Sequence, residues 1–187
     1  MPVSTGSNSC QRRSPIDASG SIEPVPTYKE VRLEHRGGSH FHAAPSSGHD
    51  LEFDDRESNE GGSPVETILA ALASCSAMDV ISIATKKRQA VDEYRVHASG
   101  NQRDEYPQVF TDIDLIHEVV GRDLAEAAIR RAIELSATKY CPVNAMISAG
   151  ATMVHHRYRI RSTGERPYET EGDVITTGPY QRADVIA

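Results

Sequence analysis

Tryptophan is absent from this 187-residue sequence and only 5% of residues are aromatic, so the core must be built from Ala, Ile, Leu and Val. Cysteine is scarce too. The three present, Cys10, Cys75 and Cys141, are odd in number and far apart. That excludes a secreted disulfide scaffold and a CxxC zinc framework, and it points to a thiol-maintaining, cytoplasmic compartment. Positive charge is in deficit: 20 Lys and Arg face 27 Asp and Glu, a net charge of −7 with a pI near 5.6. Such a field repels polyanions, so neither nucleic acid nor an anionic membrane is expected as a partner. Long hydrophobic runs are missing. The longest, Ile68 to Ile83, is broken by Ser74, Ser76 and Asp79 and is short for a bilayer span. Residues 1–26 hold no apolar signal segment. A soluble protein is expected. There is no internal repeat and no glycine-rich phosphate loop.

What is present falls into three parts. Residues 1–26 carry no apolar period and read as a disordered arm, residues 27–161 as a folded domain, and residues 162–187 as a flexible C-terminal tail. A mean hydropathy of −0.47 fits polar ends diluting a packed middle. Within the domain, alternation predicts strands at Tyr28–Glu34, His40–Ala44 and His49–Asp54, with turns at Gly37-Gly38 and around Gly48. A long helix follows from Ser63 to about Arg88. Strands are expected at Val91–Ser99 and Gln108–Val119, an amphipathic helix from Arg122 to about Thr138, a short helix at Pro142–Ala149 and a last strand at Thr152–Ile160. This order is segregated rather than strictly alternating, which reads as α+β with mainly antiparallel sheet.

The long helix has three start signals: Ser63 as cap, Pro64 at the first helical position, and Glu66 completing a capping box. Lys86, Lys87 and Arg88 suit the negative end of its dipole. Its body is small and apolar nearly all round, the pattern of a central helix covered on every face. Cys75 lies mid-helix, where the plain reading is a buried structural thiol. A nucleophilic role there needs a fixed cation, since no helix N-terminus is at hand. Cys141 precedes Pro142. If Pro142 opens a helix, Cys141 is its N-cap, where free backbone N–H groups favour a thiolate.

Ser63-Pro64-Val65-Glu66-Thr67-Ile68-Leu69-Ala70-Ala71-Leu72-Ala73-Ser74-Cys75, followed by Ser76-Ala77-Met78-Asp79-Val80, resembles the signature of the OsmC/Ohr family, and Cys141-Pro142-Val143 resembles its second cysteine motif. The likeness covers about residues 27–160. It implies an OsmC-like fold, antiparallel sheets around a long central buried helix in an intertwined homodimer. It also implies a thiol peroxidase that reduces small organic hydroperoxides: Cys75 becomes a sulfenic acid, Cys141 condenses with it to a disulfide, and an external dithiol reduces the pair. The family's thiolate-holding arginine matches Arg36 approximately, with Arg32 as a rival; an exposed turn charge is the plain reading of Arg36. The family's glutamate directly follows the proline, where this chain has Val65. Glu66 stands one residue on, and its other role is the capping box. Glu66 and Cys75 are nine residues apart, roughly 13 Å along a straight helix and on opposite faces, so a shared site needs Glu66 from a second chain or a bent helix. The contrasting reading is a non-peroxidase relative that binds an apolar small molecule in the dimer-interface pocket.

Other sets carry less. His40 and His42 share a strand face, with His49 nearby and His155-His156 elsewhere, but without regular spacing or a CxxC they read as exposed histidines. Cys–His hydrolysis with His97 or His117 as base has no supporting spacing. Asp79 reads as paired in the core, because a carboxylate there disfavours a thiolate. Glu52, Asp54, Asp55 and Glu57 read as a solvated strand end. No cofactor and no metal is expected.

Overall fold

The computed structural model describes residues 28–55 and 57–179. The chain divides into two compact units, Met1–Pro64 and Val65–Ala187.

In the first unit, β1 (Val31–Gly37), β2 (His40–Pro45) and β3 (Leu51–Phe53) form an antiparallel sheet in that order. Gly37 and Gly38, at φ 121° and 56°, make the tight turn that the Gly-Gly pair foretold. His40 and His42 do share a face. They clasp one carboxylate: Glu52 of β3 lies 2.9 Å from His40 Nε2 and 2.7 Å from His42 Nδ1. Those hydrogen bonds hold Glu52 below the usual carboxylate range. Asp54 is not solvated as expected; it is buried and accepts the backbone N–H groups of Asp55 and Glu60, at 2.7 and 3.2 Å.

The second unit is built on α1 (Pro64–Lys86), which fully buries Leu72, Ser76, Val80 and Ala84. Those positions recur every fourth residue and make one stripe. Around it the single chain leaves apolar side chains in solvent: Met78 is 65% exposed and Ile68 43%. By length and composition alone α1 could cross a membrane. Its buried stripe and its hydrogen-bonded Asp79 (below) mark a core helix instead.

The sheet of this unit runs β4 (Ala90–Gln102), β5 (Phe110–Arg122), β6 (Met153–Thr163), β7 (Tyr168–Thr177). Two of its pairings are antiparallel, as expected, but β5 and β6 are parallel. A parallel pair needs a crossover. It is supplied by α2 (Glu126–Leu135), a π-helical turn (Ser136–Tyr140) and α3 (Pro142–Ser148). The result is α+β, with two sheets and a central helix.

β7 corrects the reading of 162–187 as a flexible tail. Its Gly, Thr and charge content is that of an edge strand. Glu171 and Asp173 pair with Arg159 and Arg157 of β6, and the Tyr168 hydroxyl donates to the Leu124 carbonyl at 2.8 Å. The expected N-terminal arm, the last eight residues and Cys10 lie outside the described residues.

β5 alternates strictly and sends Ile113, Leu115, His117 and Val119 inward. Two apolar clusters result. One gathers Val80, Val119, Ile129, Ile133 and Ile160; the other gathers Leu72, Ile113, Leu115, Val154 and Cys141. A polar seam of buried side chains also crosses this core. The Tyr94 hydroxyl and His117 Nδ1 lie 2.6 Å apart and share a hydrogen bond, and burial with the nearby Asp79 charge raises the tyrosine pKa, so the phenol stays protonated. His117 stacks near His156, ring centroids 6.4 Å apart. The Asn144 amide donates to the Ala137 carbonyl at 2.8 Å. Its Oδ1 therefore accepts from Thr177 at 3.2 Å and from His156 Nε2 at 3.1 Å. Burial first, then a neighbouring histidine, pushes His117 down to about 3 and His156 down to about 4. Both imidazoles are therefore neutral at pH 7.

Candidate active site

Cys75 and Asp79 are one turn apart on α1 and therefore share a face, beside the buried stripe. Cys141 arrives from the other side of the fold through the π-helical turn, a widened turn of the kind that places functional groups. Pro142 does open α3. Cys141 is its N-cap, in extended conformation (φ −75°, ψ 103°), and its Sγ accepts the Asn144 N–H at 3.3 Å. Ser136, at the start of the turn, pins it to α1. Its hydroxyl donates to Asp79 Oδ2 at 3.1 Å, so at the Ser76–Ser136 contact, also 3.1 Å, Ser76 is the donor.

The outcome is a triad: Cys75 Sγ, Cys141 Sγ and an Asp79 carboxylate oxygen all lie within 4.8 Å of one another. Both cysteines are free thiols; Cys75 is half-buried and Cys141 buried. Burial, and then the hydrogen bond and charge of Cys75, push the Cys141 thiol up to about 12, against the opposing pull of the Asn144 and Val143 N–H groups. Leu72, Phe110 and Leu115 help to form the apolar surroundings. The two sulfurs, each on its own element, are thus neighbours with no more than 4.8 Å between them.

The other two candidates are not members of this triad. Arg36 is on β1 in the first unit, half-exposed, with its guanidinium 3.0 Å from Glu34; the rival Arg32 pairs with Glu30 at 2.8 Å. Glu66 is exposed in the first turn of an unbroken α1, roughly 13 Å by helical rise from its own Cys75. Asp79 is the residue that sequence reasoning left out of the site. Its position one turn beyond Cys75 was the available signal. Pairing to Ser136 was foreseen in kind; its closeness to both sulfurs was not. Asn144 was also missed: its N–H touches Cys141 while its side chain holds the polar seam.

Fold and thiol pair together define a class. The OsmC-like protein family matches residues 57–156, and this chain belongs to that family. Among its relatives is Protein YhfA of Escherichia coli K12, 39% identical over 126 residues, which cover 67% of this chain and 94% of that protein. A hypothetical protein from Aquifex aeolicus is similar in structure, with a TM-score of 0.65 and 28% identity over 75% of this chain and all of that one. An organic hydroperoxide resistance protein OsmC from Legionella pneumophila shares the fold at 17% identity, with a TM-score of 0.54, covering 73% of this chain and 98% of that one.

Proposed function

We propose that the chain is a cytoplasmic, homodimeric thiol peroxidase for organic hydroperoxides. The Cys75 thiolate attacks the terminal peroxide oxygen, the O–O bond breaks, and the alcohol leaves after taking up a proton. Cys75 is thereby oxidised to a sulfenic acid. Cys141 sulfur then attacks the Cys75 sulfur, an S–S bond forms, and water carries away the sulfenic hydroxyl and the thiol proton. An external dithiol exchanges with the disulfide and restores both thiols. The observation that carries this reading is the meeting of two free thiols from separate elements within 4.8 Å in apolar surroundings. In this scheme Arg36 holds the thiolate and a second copy supplies Glu66. The apolar side chains that α1 leaves in solvent, Met78, Ile68 and Ile81, favour such a second copy.

The test is direct. The reduced full chain is mixed with cumene hydroperoxide and its thiols are counted; loss of two per chain, abolished by Cys75→Ser, supports the peroxidase. The second reading, a relative that binds an apolar small molecule without redox chemistry, is favoured by Asp79 beside the sulfurs and by Val65 at the family's glutamate position. Unchanged thiol counts support it.

A further inference from the structure

The same triad has a donor set that redox chemistry alone does not use. Thiolate sulfur is soft, carboxylate oxygen is hard, and two of the first with one of the second suit a borderline cation such as Zn²⁺ or Co²⁺. Tetrahedral zinc with sulfur at about 2.3 Å and oxygen at about 2.0–2.2 Å needs ligand atoms roughly 3.4–3.8 Å apart. The three atoms here lie within 4.8 Å, so a closure of about 1 Å brings them into range. Their support is already in place. Ser136 holds Asp79 Oδ2 at 3.1 Å, while the Asn144 N–H faces Cys141 Sγ at 3.3 Å. Ligating side chains are characteristically oriented by such outer hydrogen bonds. The described ion pairs of this unit lie elsewhere, on α2 and along the strands, and none engages Asp79.

We propose that the reduced protein binds one thiophilic divalent cation of the zinc type through Cys75 Sγ, Cys141 Sγ and Asp79, with a fourth position open to water. Two metal–sulfur bonds form and two thiol protons are released. The site exists only in the dithiol state, because a Cys75–Cys141 disulfide removes two of its three ligands. Bound metal and hydroperoxide would therefore compete for the same sulfurs. The proposal does not require peroxidase activity.

The test uses full-length reduced protein carrying Cys10→Ser, freed of metal by chelator and titrated with Co²⁺. The expected result is thiolate-to-cobalt charge-transfer absorption that saturates at one equivalent per chain, with two protons released per ion and displacement by Zn²⁺. Cys75→Ser, Cys141→Ser and Asp79→Ala should each weaken binding about tenfold or more. Cys75 is half-buried, so its serine variant keeps the test valid should the Cys141 variant fail to fold. Diamide-oxidised protein should show no charge-transfer band. His40→Ala and His42→Ala should change nothing. Absence of the band at stoichiometric Co²⁺, or its loss on removing the histidines while the cysteine variants keep it, overturns the proposal. Peroxidase assays on the chelator-treated protein test the other reading separately.

Discussion

Lowering the pH from 7.5 to 5.0 should remove about 4 kcal/mol of folding stability through two side chains alone. His117 and His156 are buried and neutral, held down to about 3 and about 4, whereas the unfolded chain protonates them near 6.5. A folded pKa below the unfolded one means that the unfolded state binds more protons. Stability is therefore intact above about pH 6.5 and falls as the pH drops from there toward the folded values. At pH 5.0 each unfolded histidine is charged and each folded one is not, a gap of about 1.5 pH units at about 1.36 kcal/mol per unit, or about 2 kcal/mol per group. Against a typical total of about 5–15 kcal/mol, that is a large share. Urea unfolding at pH 7.5, 6.5, 5.5 and 5.0 checks it, with a slope that approaches two protons per molecule between pH 6 and 5. A His117→Gln, His156→Gln double variant should lose most of that slope while remaining less stable at pH 7.5. A flat profile for the wild type, or an equal slope in the double variant, refutes the assignment of neutral buried imidazoles.

Other outcomes follow from single contacts. Cys141→Ser should still consume the first equivalent of hydroperoxide but stop at a sulfenic acid, seen by dimedone adduction and mass spectrometry, with multiple turnover lost. Asn144→Leu strips partners from the Ala137 carbonyl and from His156 Nε2, and should cost about 3 kcal/mol in urea unfolding, since each orphaned buried group costs about 1–3 kcal/mol. Leu72→Ala, at a fully buried position, should cost about 2–5 kcal/mol by the same measurement. Met78→Asp should convert a dimer to monomer in size-exclusion chromatography; a wild type that already runs as a monomer removes the homodimer from the scheme.

Much of this was legible in the residues. Ser63-Pro64 and Lys86 bracketed α1 because helix ends carry their own chemistry, and Cys141-Pro142 announced an N-cap for the same reason. The pairing of Cys75 with Cys141 came only through a family likeness, since no local pattern says which distant residues meet. β7 escaped because an edge strand tolerates Glu171 and Asp173, residues that composition assigns to a solvated tail. Asp79 escaped because the expected penalty of a carboxylate beside a thiol argued it away from the sulfurs. Within the fold, Ser136 supplies the hydrogen bond that lets it sit there. The burial of the two inward histidines of β5 and β6 was not legible, His117 being weighed as a base and His156 read as exposed, because it follows from a parallel register that the crossover sets.

The decisive experiment adds one equivalent of cumene hydroperoxide to the reduced, chelator-treated Cys10→Ser protein and maps its peptides without reduction. The expected product is a single intramolecular peptide pair joining Cys75 to Cys141, formed within one turnover and undone by dithiothreitol. Both cysteines recovered as free thiols, or Cys75 trapped as a sulfenic acid by dimedone with Cys141 still a free thiol, would contradict a paired-thiol peroxidase.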